Sequence, residues 1–255
     1  MLIDLAGKVG LIIGVANENS IAWGCAERIH QCKAELALTY GNQKTQKYTK
    51  HLAEKINCPI YLPCDVTKPE EIAELFATIQ KQWGKLDFLI HSIAFAPQND
   101  LHGRVIDCSL EGFATAMNVS CYSLIQLSKL AEPLMKQGGS ILSISYYGAN
   151  KVVKSYNLMG IAKAALESAA RYLAWDLGKS NIRLNILSPG PIMTRAASGI
   201  NQFNDLLDDA IKKSPIARGV DIYSVGNMAA FMVSDLSKDI TGETIYIDAG
   251  SSVVA

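Results

Sequence analysis

The chain has 255 residues, 49% hydrophobic and 19% charged, enough for one large α/β core or two smaller ones. Lys plus Arg and Asp plus Glu number 24 each, so the net charge is zero and no global positive field exists to collect nucleic acid or an anionic membrane. The six cysteines form neither a CxxC pair nor a zinc-ligand cluster, a pattern expected of buried thiols in a reducing cytoplasm and of a protein without a metal site.

The N-terminus carries an acid, Asp4, and no basic leader, and its apolar run Val9–Ile13 is too short to cross a bilayer. No later segment reaches spanning length, so a soluble, cytoplasmic protein is expected. The run reads as a buried first strand. It ends at Gly14, which permits a tight turn, and a helix over Ala22–Cys32 follows with Asn19 or Ser20 as its cap. The unpaired N–H groups at such a helix start can receive a pyrophosphate. The G-x-G-x-x-G fingerprint is absent: the loop is longer and the middle glycine is missing.

A second strand, Glu35–Tyr40, ends in Gly41-Asn42. NAD sites commonly place an acid here for the adenosine ribose, and none stands between Tyr40 and Tyr48. Asn42 can bond a free hydroxyl and Lys44 or Lys47 a 2′-phosphate. The reading leans to NAD(H) and leaves NADP(H) open. After a helix over Lys44–Ile56, strand Ile60–Pro63 leads into Cys64-Asp65-Val66, where an acid and a backbone N–H can clasp an adenine edge. A helix over Pro69–Trp83 and a strand over Phe88–Ser92 follow. The next residues, Ile93-Ala94-Phe95-Ala96-Pro97, include small side chains that let the backbone approach a ligand.

A long helix is predicted over Leu110–Lys136, then strand Ser140–Ser145, helix Ser155–Leu177 and strand Arg183–Ser188. Pro189-Gly190-Pro191-Ile192 then offers backbone groups to a nicotinamide amide. Helices over Phe203–Ser214 and Ile222–Val233 precede a last strand, Thr244–Asp248. Apolar strands separated by helices require crossovers, and right-handed crossovers give a doubly wound parallel sheet, here of seven strands with helices on both faces. No linker or repeat divides it, so residues 1–255 read as one domain. The excursion between Ser188 and Arg218 reads as a lid over about 192–218. The ligand-type motifs fall at the carboxyl ends of strands, the edge where open α/β sheets bind ligands.

Tyr156 and Lys163 stand seven residues apart, almost two helical turns, on one face and about 10 Å apart along the axis. A phenol so placed can stabilise negative charge that appears during a reaction. An ammonium can hold a sugar hydroxyl and lower the phenol's pKa. Tyr146 lies ten residues upstream of Tyr156.

Taken together, Gly14 to Ser20-Ile21-Ala22, Cys64-Asp65-Val66, His91 to Pro97, Ser145 to Ala149, Tyr156 to Lys163, Gly190 to Thr194 and Ala196 to Ile200 resemble the short-chain dehydrogenase/reductase superfamily, whose fold is Rossmann-type. More narrowly, nearly the whole chain resembles the bacterial NADH-using type I enoyl-[acyl-carrier-protein] reductases. Members acting on a carbonyl or alcohol, the alternative activity, carry Tyr-x3-Lys with a Ser thirteen residues before the Tyr. Here those positions hold Met159 and Tyr146, and the working phenol has moved one turn to Tyr156. That displacement suits a 2-enoyl thioester, in which hydride adds at C3 and charge gathers on the thioester oxygen.

The resemblance implies reduction of an enoyl chain on acyl carrier protein in fatty acid elongation, by a homotetramer. It implies Tyr156, Lys163 and Tyr146 as catalytic residues and Ala96, Tyr146 and Tyr156 as the acyl-contacting ones. It implies Gly14, Ser20, Ile21, Gly41, Asp65, Val66, Ile93, Lys163, Ile192, Met193, Thr194, Arg195 and Ala196 as the cofactor's contacts. Arg195, Lys212, Lys213 and Arg218 are the local basic residues available to an acidic carrier. Asn118 is expected to be structural.

Overall fold

In the computed structural model, which describes residues 2–195, 197–199 and 203–254, all seven predicted strands form. They are β1 (Val9–Ile13), β2 (Glu35–Tyr40), β3 (Ile60–Pro63), β4 (Phe88–His91), β5 (Gly139–Ile144), β6 (Ile182–Pro189) and β7 (Thr244–Ile247). Every pairing is parallel, in the order β3-β2-β1-β4-β5-β6-β7. The chain winds outward from β1 to β3 and then returns to place β4 on β1's other side. The ligand crevice of such a sheet opens at that reversal, above the carboxyl ends of β1 and β4.

Side chains alternate between two cores, which is why the strand sequences are apolar throughout rather than alternating. Ile12, Phe88, Ile90 and Leu142 pack on one face against α1 (Ile21–Gln31), α2 (Gln43–Lys55) and α9 (Ile222–Val233). Leu11, Ile13, Leu89 and Ile141 pack on the other against α3 (Pro69–Gln82), α6 (Ser123–Ala131) and α7 (Asn157–Gly178). Local chemistry starts these helices. Ser20 and Asn42 cap α1 and α2 through the N–H groups of Trp23 and Thr45, and Pro69 with Glu70 and Glu71 opens α3. A short helix, α4 (Gln98–Leu101), follows β4 and was not expected.

Two expected helices differ. Leu110–Lys136 is not continuous: α5 (Leu110–Met117) passes through a turn of π-helix (Asn118–Tyr122) into α6, and a 3-10 turn at Glu132–Leu134 ends it at Pro133. Sequence periodicity cannot reveal one inserted residue inside an apolar stripe. The helix expected from Ser155 starts instead at Asn157, because Ser155 and Asn157 take positive φ values of 67° and 38°. Tyr156 is therefore the residue that leads into α7, not a member of its first turn.

Candidate active site

A cleft of about 1000 Å³ lies over the carboxyl ends of β1 to β6. Its floor depends on Gly14, which has a φ of 109° and sits so close to β4 that a Cβ there would run into the Ser92 carbonyl oxygen. Beside it, Ser20 fixes the start of α1: its Oγ donates to the Asn17 carbonyl at 2.7 Å and accepts from Trp23 N–H at 3.3 Å. Gly14, Ser20 and Ile21 thus combine a backbone that can be closely approached with the positive end of a helix, features that suit a pyrophosphate.

Gly41 and Asn42 line the cleft at the end of β2 with open space where a Gly41 Cβ would stand. The Asn42 Oδ1 is occupied as the α2 cap, accepting from Thr45 N–H at 3.0 Å and from Thr45 Oγ1 at 3.1 Å. Asp65 and Val66 line the next stretch, with Asp65 Oδ1 held by Thr67 at 2.7 Å and 3.0 Å. Ile93 and Ala96 line the cleft after β4, and Ile192, Thr194 and Arg195 after β6. The Arg195 guanidinium lies 5.9 Å from the Tyr48 ring centre. Met193 is half-exposed and stands outside the lining, and Ala196 lies outside the described residues.

Tyr146, Tyr156 and Lys163 come together at the inner end. The two tyrosine rings meet edge to face with centres 4.8 Å apart. Gly148 makes room for this, since a Cβ there would strike the Tyr156 ring. Tyr156 is buried, and among the described residues neither phenol hydroxyl has a hydrogen-bond partner. Burial, then Tyr146 and Glu167, push the Tyr156 phenol well above its usual range. Burial therefore sets the direction of this shift, upward from the ordinary phenol range. Burial with Tyr147 likewise pushes Tyr146 up to about 12. Both phenols are neutral donors at any physiological pH. Met159 also lines the cleft, and its thioether has no proton to give.

Lys163 is buried, and its Nζ donates to the Ile144 carbonyl at 2.6 Å. Desolvation pulls its pKa down to about 8, against the opposing pull of Glu167 and Cys121.

The π turn does work that the sequence reading missed. Ser120 Oγ donates to the Phe95 carbonyl and accepts from the Phe95 N–H, each at 2.9 Å, pinning the loop after β4. Ser123 Oγ donates to the Val119 carbonyl at 2.7 Å, so it accepts from His91 Nε2, and Ser143 Oγ then donates to Nδ1, both at 2.8 Å. Burial and Lys163 push the His91 pKa down to about 3, keeping it neutral. The available signal was a pair of serines, 120 and 123, on the apolar stripe of a predicted helix. Among the described residues, no group of His, Cys, Asp and Glu is arranged to hold a metal.

A family model described as enoyl-(acyl carrier protein) reductase matches residues 14–252. The enoyl-[acyl-carrier-protein] reductase [NADH] of Rickettsia felis is 47% identical over 250 residues, covering 98% of this chain and 96% of that protein. Its counterpart in Nostoc is 45% identical over 256 residues, covering 99% of both. The crystal structure of the Anaplasma phagocytophilum reductase in complex with NAD superposes with a TM-score of 0.95 at 46% identity, covering 100% of this chain and 97% of that one. The Bacillus cereus enoyl-acyl carrier protein reductase with NADP+ and an indole naphthyridinone gives 0.96 at 41% identity, covering 98% of each.

Proposed function

The chain belongs to the enoyl-[acyl-carrier-protein] reductase family and is an NADH-dependent member of it; from that premise we infer how its residues divide the reduction of a 2-enoyl thioester at C2–C3. Bound in the cleft, NADH supplies the hydride. Tyr156 O–H donates a hydrogen bond to the thioester oxygen on which charge gathers as hydride adds to C3, and a proton delivered to C2 then completes the reduction. A neutral phenol on a buried ring suits this, because a donor already held in place needs little reorganisation when the charge appears. Lys163 holds the ribose hydroxyls of the nicotinamide half and so orients it. Tyr146 packs edge-on against Tyr156, fixing its ring and lining the acyl path with Ala96. Gly14, Ser20 and Ile21 receive the pyrophosphate, Asp65 and Val66 the adenine, and Ile93 with residues 192–196 the nicotinamide.

One observation carries the enoyl reading over a carbonyl one. In the position one turn from Tyr156 where carbonyl-reducing relatives use a phenol, the cleft presents buried Met159. The test is NADH consumption with crotonyl-coenzyme A against acetoacetyl-coenzyme A. Turnover of the enoyl ester alone is expected; turnover of the keto ester alone would overturn the reading.

Residues 192–218 act as a lid. Of α8 (Phe203–Lys213), only Phe203 is buried, so that helix is held by little apolar contact. The carrier protein docks at the basic end of α8, where Lys212 and Lys213 are exposed, with Arg195 and Arg218 nearby in sequence and also exposed. Asp205, Asp208 and Asp209 on the same helix confine that positive field to its last turn. The chain assembles as a homotetramer: Tyr172 and Trp175 on α7 are 74% and 78% exposed, with Tyr122 and Ile125 also exposed, apolar surface that burial between subunits would cover. Light scattering showing a stable monomer would refute this. No helix among the described residues is long and apolar enough to cross a membrane, in keeping with a cytoplasmic enzyme.

A further inference from the structure

Among the described residues one acid, Glu167, is buried, and one lysine or arginine, Lys163. They occupy successive turns of α7, four residues apart, where side chains share a face. An isolated buried charge is costly, and such groups persist where they are paired or well bonded. Two adjacent residues at the end of β5 connect them. The Ile144 carbonyl accepts from Lys163 Nζ at 2.6 Å, and the Ser145 hydroxyl donates to Glu167 Oε1, also at 2.6 Å. The second carboxylate oxygen accepts from Asn150 Nδ2 at 3.1 Å, and the same amide donates to the Tyr246 hydroxyl at 2.9 Å. One carboxylate therefore grips both ends of the loop 145–150, which carries Tyr146 and the Gly148 that clears space for Tyr156.

We propose that Glu167 is a positioning residue of the reduction: its carboxylate is the counter-charge that keeps the buried Lys163 ammonium cationic, and it fastens the Tyr146 loop to α7. The proposal rests on the roles given above to Tyr156 and Lys163. The carboxylate has donors on both oxygens and needs no direct contact with Lys163. Its field acts through a poorly screened interior.

The surroundings of Lys163 make the charge separable in a titration. It is faced by Glu167 from α7, by Cys121 from the π turn and by His91 from β4. His91 is neutral above about pH 3, and burial raises the Cys121 thiol. The phenols are neutral to about pH 12 or beyond. Lys163 is thus the group in this cluster that changes charge around pH 8.

The test measures the pH dependence of NADH affinity and of kcat/KM on crotonyl-coenzyme A for wild type, Glu167→Gln and Glu167→Asp. Removing the negative charge should move the alkaline limb down by roughly one pH unit or more, while Glu167→Asp, which keeps the charge, should leave it near the wild-type position. A Glu167→Gln enzyme with a wild-type limb and only a lower melting temperature would overturn the proposal. If Glu167→Gln does not fold, Glu167→Asp decides: a wild-type limb supports the counter-charge, and a limb lowered by about a full unit refutes it. Tyr156→Phe run in parallel separates the two layers. Full kcat in that variant removes the assignment on which the proposal rests. Impaired Tyr156→Phe beside a Glu167→Gln that titrates as wild type removes the Glu167 role alone.

Discussion

Tyr156→Phe deletes one oxygen atom, and the structure isolates what that oxygen does. The ring stays buried and keeps its edge-on contact with Tyr146 at 4.8 Å between centres. The hydroxyl has no protein partner among the described residues, so its loss breaks no internal hydrogen bond and should leave the melting temperature almost unchanged. What is lost is a neutral donor lining the cleft. Removing one such donor from an oxyanion costs about 10²–10³ in kcat, or about 2.7–4 kcal/mol of transition-state stabilisation. The buried ring holds that donor in place, so a loss within this range is expected. The assay is NADH oxidation at saturating crotonyl-coenzyme A, with NADH affinity measured separately by fluorescence. A kcat within about threefold of wild type would refute the reasoning, since no donor in the stated range could then have been removed. So would an equal fall in NADH affinity, which would make Tyr156 a binding group rather than one felt in the transition state.

Other outcomes follow from the same geometry. Lys163 titrates near pH 8 and is useful only as the ammonium, so NADH affinity and kcat/KM should hold below that value and fall as pH rises through it. Affinity that instead improves with pH would contradict the ribose-holding role. Gly14→Ala meets both a φ of 109° and the Ser92 carbonyl. It should cost about 1–3 kcal/mol in denaturant unfolding from the backbone alone and abolish measurable NADH binding; wild-type binding would show that the floor is not at Gly14. Reversing Lys212 and Lys213 to Glu should raise KM for a carrier-bound enoyl substrate by about tenfold at low salt and leave the coenzyme A thioester within twofold. Equal effects on both substrates would refute docking at α8.

The doubly wound sheet, its seven strands and the motifs that line the cleft were legible in the order of residues alone. Short continuous apolar runs and strand-end glycines are local properties, written within a few residues of where they act. The displaced phenol was legible for the same reason: Tyr156, Met159 and Lys163 are separated by fixed turns of one segment. How that segment enters its helix emerged from the folded backbone. Positive φ at Ser155 and Asn157 places Tyr156 ahead of α7 rather than within it. Tertiary packing also fixed the direction in which the Tyr156 phenol shifts, because the cost of burying a phenolate depends on how much water the fold removes. The supports of the site were hidden altogether. Ser120 bonds Phe95, His91 bonds Ser123 and Ser143, and Ser145 bonds Glu167, each across more than twenty residues. A buried polar side chain in an apolar run announces that it needs a partner; which partner it finds is fixed only when distant strands and helices are packed together.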